Sequence, residues 1–141
     1  MVVYFASIHS LAAPFYSVEE LAAWAPRNTN GARWQQRLAT VQTDVAEQSG
    51  VLGGFVSYES GGHIDLLFTH PDFARRGVAT RLYRGAEMIL QSSGVARVFT
   101  EASLVARPFF ERQGFQVECE EFAECRGVHL RRYRMSKQLG V

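Results

Sequence analysis

The sequence predicts an α/β (α+β) fold, a mixed sheet with helices packed on both of its faces. Three observations carry that expectation. The hydrophobic period switches from helical to alternating near residue 43 and back to helical after residue 78. Turn signals at Ser49-Gly50, Gly61-Gly62 and Arg126-Gly127 separate runs of strand length. Helices therefore lie before, between and among the strands, and such an order needs a helix layer on each face.

Ser17 with Glu20 three residues later is a capping box, and Val18–Trp24 is a short helix stopped by Pro26. Asn28, Thr29, Asn30 and Gly31 form a turn cluster before a second short helix over 32–38. Residues 43–48 and Val51–Tyr58 read as a hairpin, with His63–Thr69 as a third strand beyond the two glycines. From Val78, the apolar residues Leu82, Ala86, Ile89 and Leu90 recur at offsets of four, eight, eleven and twelve, one face of a helix. Gly94 suits a left-handed cap at its end. A fourth strand spans 95–102, a short helix 106–113, and a terminal hairpin 115–125 and 128–135.

Bulk properties narrow the function. At 141 residues the chain is expected to form one domain, 1–141, able to bury a core. A net charge of +1 speaks against nucleic acid as a partner. No apolar run approaches the ~20 residues that cross a bilayer, so no membrane partner is expected. The two cysteines, Cys119 and Cys125, are too few for a disulfide framework and read as reduced thiols of a cytoplasmic protein. His9, His70 and His129 are scattered, and no metal is expected.

The most informative stretch is HPDFARRGVATRLY, from His70 to Tyr83. A strand that runs through a glycine turn into a helix presents unpaired N–H groups at the positive end of the helix dipole. Gly77 permits close backbone approach, while Arg75 and Arg76 add charge-assisted donors. The stretch reads either as an anion site or as a solvated turn. It is neither a Walker loop nor GxGxxG, which counts against ATP and NAD.

Read together with ASLVARPFFERQGF, this stretch resembles the GNAT superfamily of acetyl-CoA-dependent N-acetyltransferases. The resemblance covers roughly residues 40–135. It implies a GNAT-like, mostly antiparallel central sheet whose first strand is short, only 2–5, or missing. It also implies that the loop and helix start at Arg75, Arg76, Gly77, Val78, Ala79 and Thr80 hold the pyrophosphate of acetyl-CoA. Ala74 stands where the family carries Gln or Arg. The pantetheine arm would pass where the sheet opens beside Phe68 and Thr69, a backbone N–H there polarising the thioester carbonyl. Ser103 would lie near the cofactor, and Phe110 occupies the position of the family's usual tyrosine acid.

Acetylation of an alkyl ammonium, pKa ~10.4, needs help in removing a proton. Strand alternation sets His63, Asp65, Leu67 and Thr69 on one face. His63, with an ordinary imidazole pKa of ~6.5, is a candidate base. Asp65 could act through a water, and Glu101 is the third candidate. Each also has a bland reading as a solvated or structural group. Tyr133 could pass a proton through water, and neither cysteine is expected in the cleft. The acceptor is then a small-molecule or peptide amine recognised by the first helices and the terminal hairpin, whose strands could also pair two subunits as a homodimer. The alternatives are a CoA-binding regulatory or partner module without turnover, prompted by Phe110 and Ala74, and a structural protein that uses the fold only to dimerise.

Overall fold

The computed structural model describes residues 2–26 and 31–140. The turn expected at 28–30 lies outside the described residues. Helices α1 (Val2–Leu11), α2 (Val18–Trp24) and α3 (Gly31–Ala39) precede strands β1 (Gln42–Gln48), β2 (Val51–Tyr58) and β3 (His63–Thr69). A 3-10 turn, Pro71–Phe73, leads to α4 (Val78–Ser92), β4 (Arg97–Ser103), α5 (Arg107–Arg112), β5 (Gln116–Cys125) and β6 (Val128–Gln138). The sheet has the order β1-β2-β3-β4-β6-β5. All neighbours are antiparallel except β3 and β4, whose parallel pairing requires the crossover through α4.

At the N-terminus the structure takes the second of the two expected alternatives, a missing first strand. Residues 2–5 are the start of a helix, not a strand. Val and aromatic residues favour strands only weakly, and tertiary packing overrides that preference. Val3, Ile8 and Ala12 turn onto the sheet and are buried, with the small polar Ser7 among them interrupting the apolar pattern that would have announced a helix.

The helices divide between two faces. Leu82, Tyr83, Ala86 and Leu90 of α4 pack with Phe110 of α5 on Val56, Ile64, Val98 and Met135. Across the sheet, Ile8, Ala12, Leu21 and Leu130 form a second cluster, and Val3, Phe55 and Leu66 a third. The capping box of α2 is formed in both directions, Glu20 N donating to Ser17 Oγ and Ser17 N to Glu20 Oε1.

Two features of β3 shape the cleft between it and β4. Its register against β2 shifts between Ser57 and Tyr58, so Leu66 opposes Ser57 while Ile64 opposes Tyr58. Asp65 is the extra residue. The strand therefore does not alternate simply: Ile64 and Leu67 face α4, whereas Leu66 and Phe68 face α1. The expected grouping of Leu67 with His63 and Asp65 is corrected by this bulge, which re-aims side chains. In addition, β3 and β4 pair at only His63↔Phe99 and Ile64↔Thr100 and then part. The Thr100 hydroxyl donates to Ile64 O at 2.9 Å and Phe99 N to Gly62 O at 3.0 Å, fastening the vertex.

Gly62 is indispensable at that vertex. Its φ is +107°, and an added Cβ would lie 2.3 Å from Arg97 O. Gly62→Ala is expected to destabilise the protein by more than about 2 kcal/mol in urea unfolding, from backbone strain and displaced strand contact together. A loss under about 0.5 kcal/mol would show that the vertex is not fastened there.

Candidate active site

Beyond Ile64 and Thr100 the opened strands floor a cleft of about 710 Å³. Its inner part is bounded by Leu67, Phe68, Ala102, Ser103 and Phe110, its outer part by α1, α2 and α3 and the hairpin β5–β6. The β3 edge facing β4 has no ladder partner after Ile64 among the described residues, so its N–H groups are available to a ligand.

Three candidate groups meet on the α1–α3 face. His63 Nε2 lies 2.9 Å from Glu101 Oε1 and Nδ1 lies 2.9 Å from Glu59 Oε1. Its ring stacks on Phe99, 5.0 Å between centroids. Asp65 accepts two bonds from Arg37, at 2.9 and 3.1 Å. Glu101 and Asp65 line the cleft, and His63 stands directly behind Glu101. Glu59 and Arg37 were not singled out in the sequence. The signal for Glu59 was present, since the Gly61-Gly62 turn closes with Glu59 N donating to His63 O and sets the two side chains together.

The electrostatics change the role of the imidazole. The Glu101 hydrogen bond, opposed by partial burial and reinforced by Glu59, raises the His63 pKa to about 9. The same bond lowers the pKa of Glu101. His63 is therefore an imidazolium at neutral pH, not the poised base that an ordinary pKa would give. Glu59, His63 and Asp65 also offer ligand atoms within 4.8 Å of one another. The Glu59 carboxylate already faces the His63 imidazolium and the Asp65 carboxylate the Arg37 guanidinium, and a protonated ring has no lone pair for a cation.

An aromatic wall rises beside this charged group. Tyr4 meets Trp34 and Phe68 edge-on at 4.7 and 4.8 Å, and Trp24 meets Phe68 at 6.4 Å. Tyr4 donates its hydroxyl to Trp24 O, and burial pushes its pKa up to about 12. Trp24 is only partly buried and lines the cleft. Cys125 lines it too, against expectation, with Sγ donating to Ala23 O at 3.1 Å. Tyr133 does not line it: it packs on the α4 face beneath Arg107, its hydroxyl bound by Arg131. Tyr16 donates to Arg131 O at 2.7 Å and accepts from Leu104 N at 2.9 Å, joining the α1–α2 connection to β6 and to the loop after β4.

The loop before α4 has the geometry of an anion cradle. Gly77 is left-handed at φ 77° and caps α4 with no side-chain hydrogen bond. Arg75 is also left-handed, at φ 62°, a strained state for a residue with a Cβ. Arg75, Arg76 and Gly77 are exposed, Arg76 lying over the Phe73 ring, and Val78, Ala79 and Thr80 form the first helical turn.

The acetyltransferase (GNAT) domain model matches residues 12–138 of this chain. The chain belongs to the GNAT acetyltransferase family. It is 34% identical over 133 residues to the uncharacterized N-acetyltransferase YafP of Escherichia coli strain K12, covering 94% of this chain and 83% of that protein. A GCN5-related N-acetyltransferase structure from Rhodopseudomonas palustris superposes with a TM-score of 0.94 at 33% identity, covering 98% and 86% of the two chains. The PaiA N-acetyltransferase of Thermoplasma acidophilum, solved with coenzyme A, shares the fold at a TM-score of 0.73 and 19% identity, with 98% and 89% covered. The sheet of this GNAT chain is mostly antiparallel, and among its described residues a helix stands ahead of the strands where the family's first strand was expected.

A raised His63 pKa stabilises the folded state while the ring carries its proton. That contribution is complete below the unfolded value of ~6.5 and disappears as pH rises through about 9. Between pH 6.5 and 9.5 the protein is expected to lose about 1 kcal/mol, after discounting for solvent screening, that His63→Gln does not lose. Urea unfolding across that range checks it, and equal losses in both proteins would refute it.

Proposed function

We propose that this GNAT domain, spanning 1–141 as one unit, moves acetyl from acetyl-CoA to a primary amine by direct attack. The observation that carries the reading is the parting of β3 from β4 beside the start of α4, where the Gly77 cap supplies no side-chain hydrogen bond. Two related proteins of the same fold were solved with this class of ligand, PaiA with coenzyme A and YncA of Salmonella typhimurium with acetyl-CoA. N–H groups of Gly77, Val78, Ala79 and Thr80, assisted by Arg75 and Arg76, hold the pyrophosphate in this reading. The arm enters beside Phe68, Thr69, Ser103 and Phe110, and an unpaired N–H of β3 receives the thioester oxygen.

The amine arrives from the opposite face, its ammonium drawn to the Glu101 carboxylate, with Asp65 nearby. A proton must leave before attack. The Glu101–His63 pair accepts it in the fraction where the imidazole is unprotonated, which grows toward pH 9. The nitrogen lone pair then forms the bond to carbon, the C–S bond breaks with its electron pair going to sulfur, and the second N–H proton passes to the departing thiolate. A thiol of pKa ~8.5 leaves adequately as thiolate, so Phe110 at the usual acid position is tolerable. The products are amide, CoA and a proton. The second reading, CoA binding without turnover, is prompted by the same Phe110, which is buried and carries no proton. A cytoplasmic setting follows from dependence on acetyl-CoA, and a homodimer through the β5 edge is part of the proposal. No described helix is long and apolar enough to cross a membrane.

Acetyl-CoA is expected to raise Tm by several degrees, and a broad amine panel to release CoA. Absence of both would end the proposal, and stabilisation without release would favour the binding module. Glu101→Gln is expected to lower kcat/KM by about 10²–10⁴ while keeping the acetyl-CoA shift in Tm. Wild-type turnover in that variant would remove Glu101 from the chemistry. The acceptor kcat/KM is expected to rise from pH 7 to 9, and Glu59→Gln to move that rise to lower pH, since one of the carboxylates holding the proton is gone.

A further inference from the structure

Resting on the acetyl transfer proposed above, we infer that the acceptor is a small aromatic monoamine, its ring held by Tyr4, Trp24, Trp34 and Phe68 and its nitrogen presented to Glu101. Two independent properties of the outer cleft point there.

The first is its charge balance. A polyamine or an aminoglycoside needs several carboxylates without cations of their own. Here every inner acid is already matched: Asp65 by Arg37, Glu101 by His63. Among the described residues the cleft is lined by four arginines and three acids, so it carries no excess of negative charge to attract several ammonium groups at once. Arg132 and Arg131 are bound to Glu121 and Glu120 on the hairpin, and Arg126 reaches Ala23 O. One ammonium can share Glu101 with His63; a string of them finds no further acid except the rim residue Glu124.

The second is the wall. Four aromatic side chains line the cleft in edge-on contact, and each is only partly buried, so ring surface remains open to a ligand. The wall is stiff, because the Tyr4 hydroxyl is tied to Trp24 O at 3.2 Å. Aromatic residues in a pre-formed concavity favour a planar apolar guest, and an edge-on or offset ring contact is worth a factor of up to about ten in affinity. At about 710 Å³, shared with the thioester arm, the cleft has the size of a small-molecule site. Phe68 and Asp65 line the cleft from the same strand, so ring wall and acid belong to one concavity.

The test compares 2-phenylethylamine, n-butylamine and spermidine as acceptors by CoA release at saturating acetyl-CoA. The expected result is a kcat/KM for 2-phenylethylamine about tenfold or more above both others. Trp34→Leu and Phe68→Leu, each checked for folding by Tm, should lower the ratio of phenylethylamine to butylamine several-fold. Preference for spermidine, a ratio near one, or a ratio unmoved in both folded variants would overturn the inference. If no amine releases CoA, acetyl transfer fails as a function, yet the ring preference remains measurable by calorimetric titration of 2-phenylethylamine and n-butylamine into the CoA-loaded protein. Tighter phenyl binding then supports the aromatic site, and equal binding refutes it.

Discussion

The rest of the molecule depends on two adjacent parallel strands that cannot stay paired. β3 and β4 share two residue pairs and then diverge, leaving backbone groups that a continuous sheet would have satisfied. The vertex is held by short contacts of Thr100 and Gly62, and the bulge at Asp65 lets β3 turn two side chains toward the acceptor face. Everything chemical is arranged about that wedge. α4 begins just outside it, the acid–imidazole pair sits at its apex, and the N-terminal helices roof it. A wedge in a sheet is costly, since each backbone group it leaves unpaired forgoes a ladder bond.

Much of this arrangement was legible in the sequence where local chemistry decides structure. The capping box of α2, the two glycine turns, the boundaries of β2 and β3 and the apolar stripe of α4 each depend on a few neighbouring residues. The glycine turn into α4 was legible for the same reason, since Gly77 caps that helix in the left-handed region. What was hidden depends on distant pairing. Helix α1 could not be read from Val2 to Phe5, because its helical state is set by packing on β2 and β3. The bulge at Asp65 breaks an alternation that looked regular, and only the partner strand reveals it.

The site shows the same division. His63, Asp65 and Glu101 could be named as candidates because their places on β3 and β4 are local facts. Their charge states were not, because each is fixed by a partner remote in sequence: Glu101 is 38 residues from His63 and Arg37 is 28 from Asp65. An ordinary imidazole value suggested a base ready at neutral pH, whereas the folded ring sits between two carboxylates and keeps its proton. Cys125 entered the cleft for a similar reason, carried there by a hairpin whose path past α2 no local pattern records.

The Tyr16 hydroxyl has a mechanical meaning. One oxygen gives its proton to β6 and receives one from the loop between β4 and α5, so a single buried ring rivets the roof of the cleft to its floor. Lifting the roof away from β6 would strip both bonds from that phenol, a cost of about 1–3 kcal/mol for each group left unsatisfied. The scaffold therefore resists hinging at that point. Roof and floor are pinned at one phenol, so the cleft is built as a fixed vise rather than as a jaw.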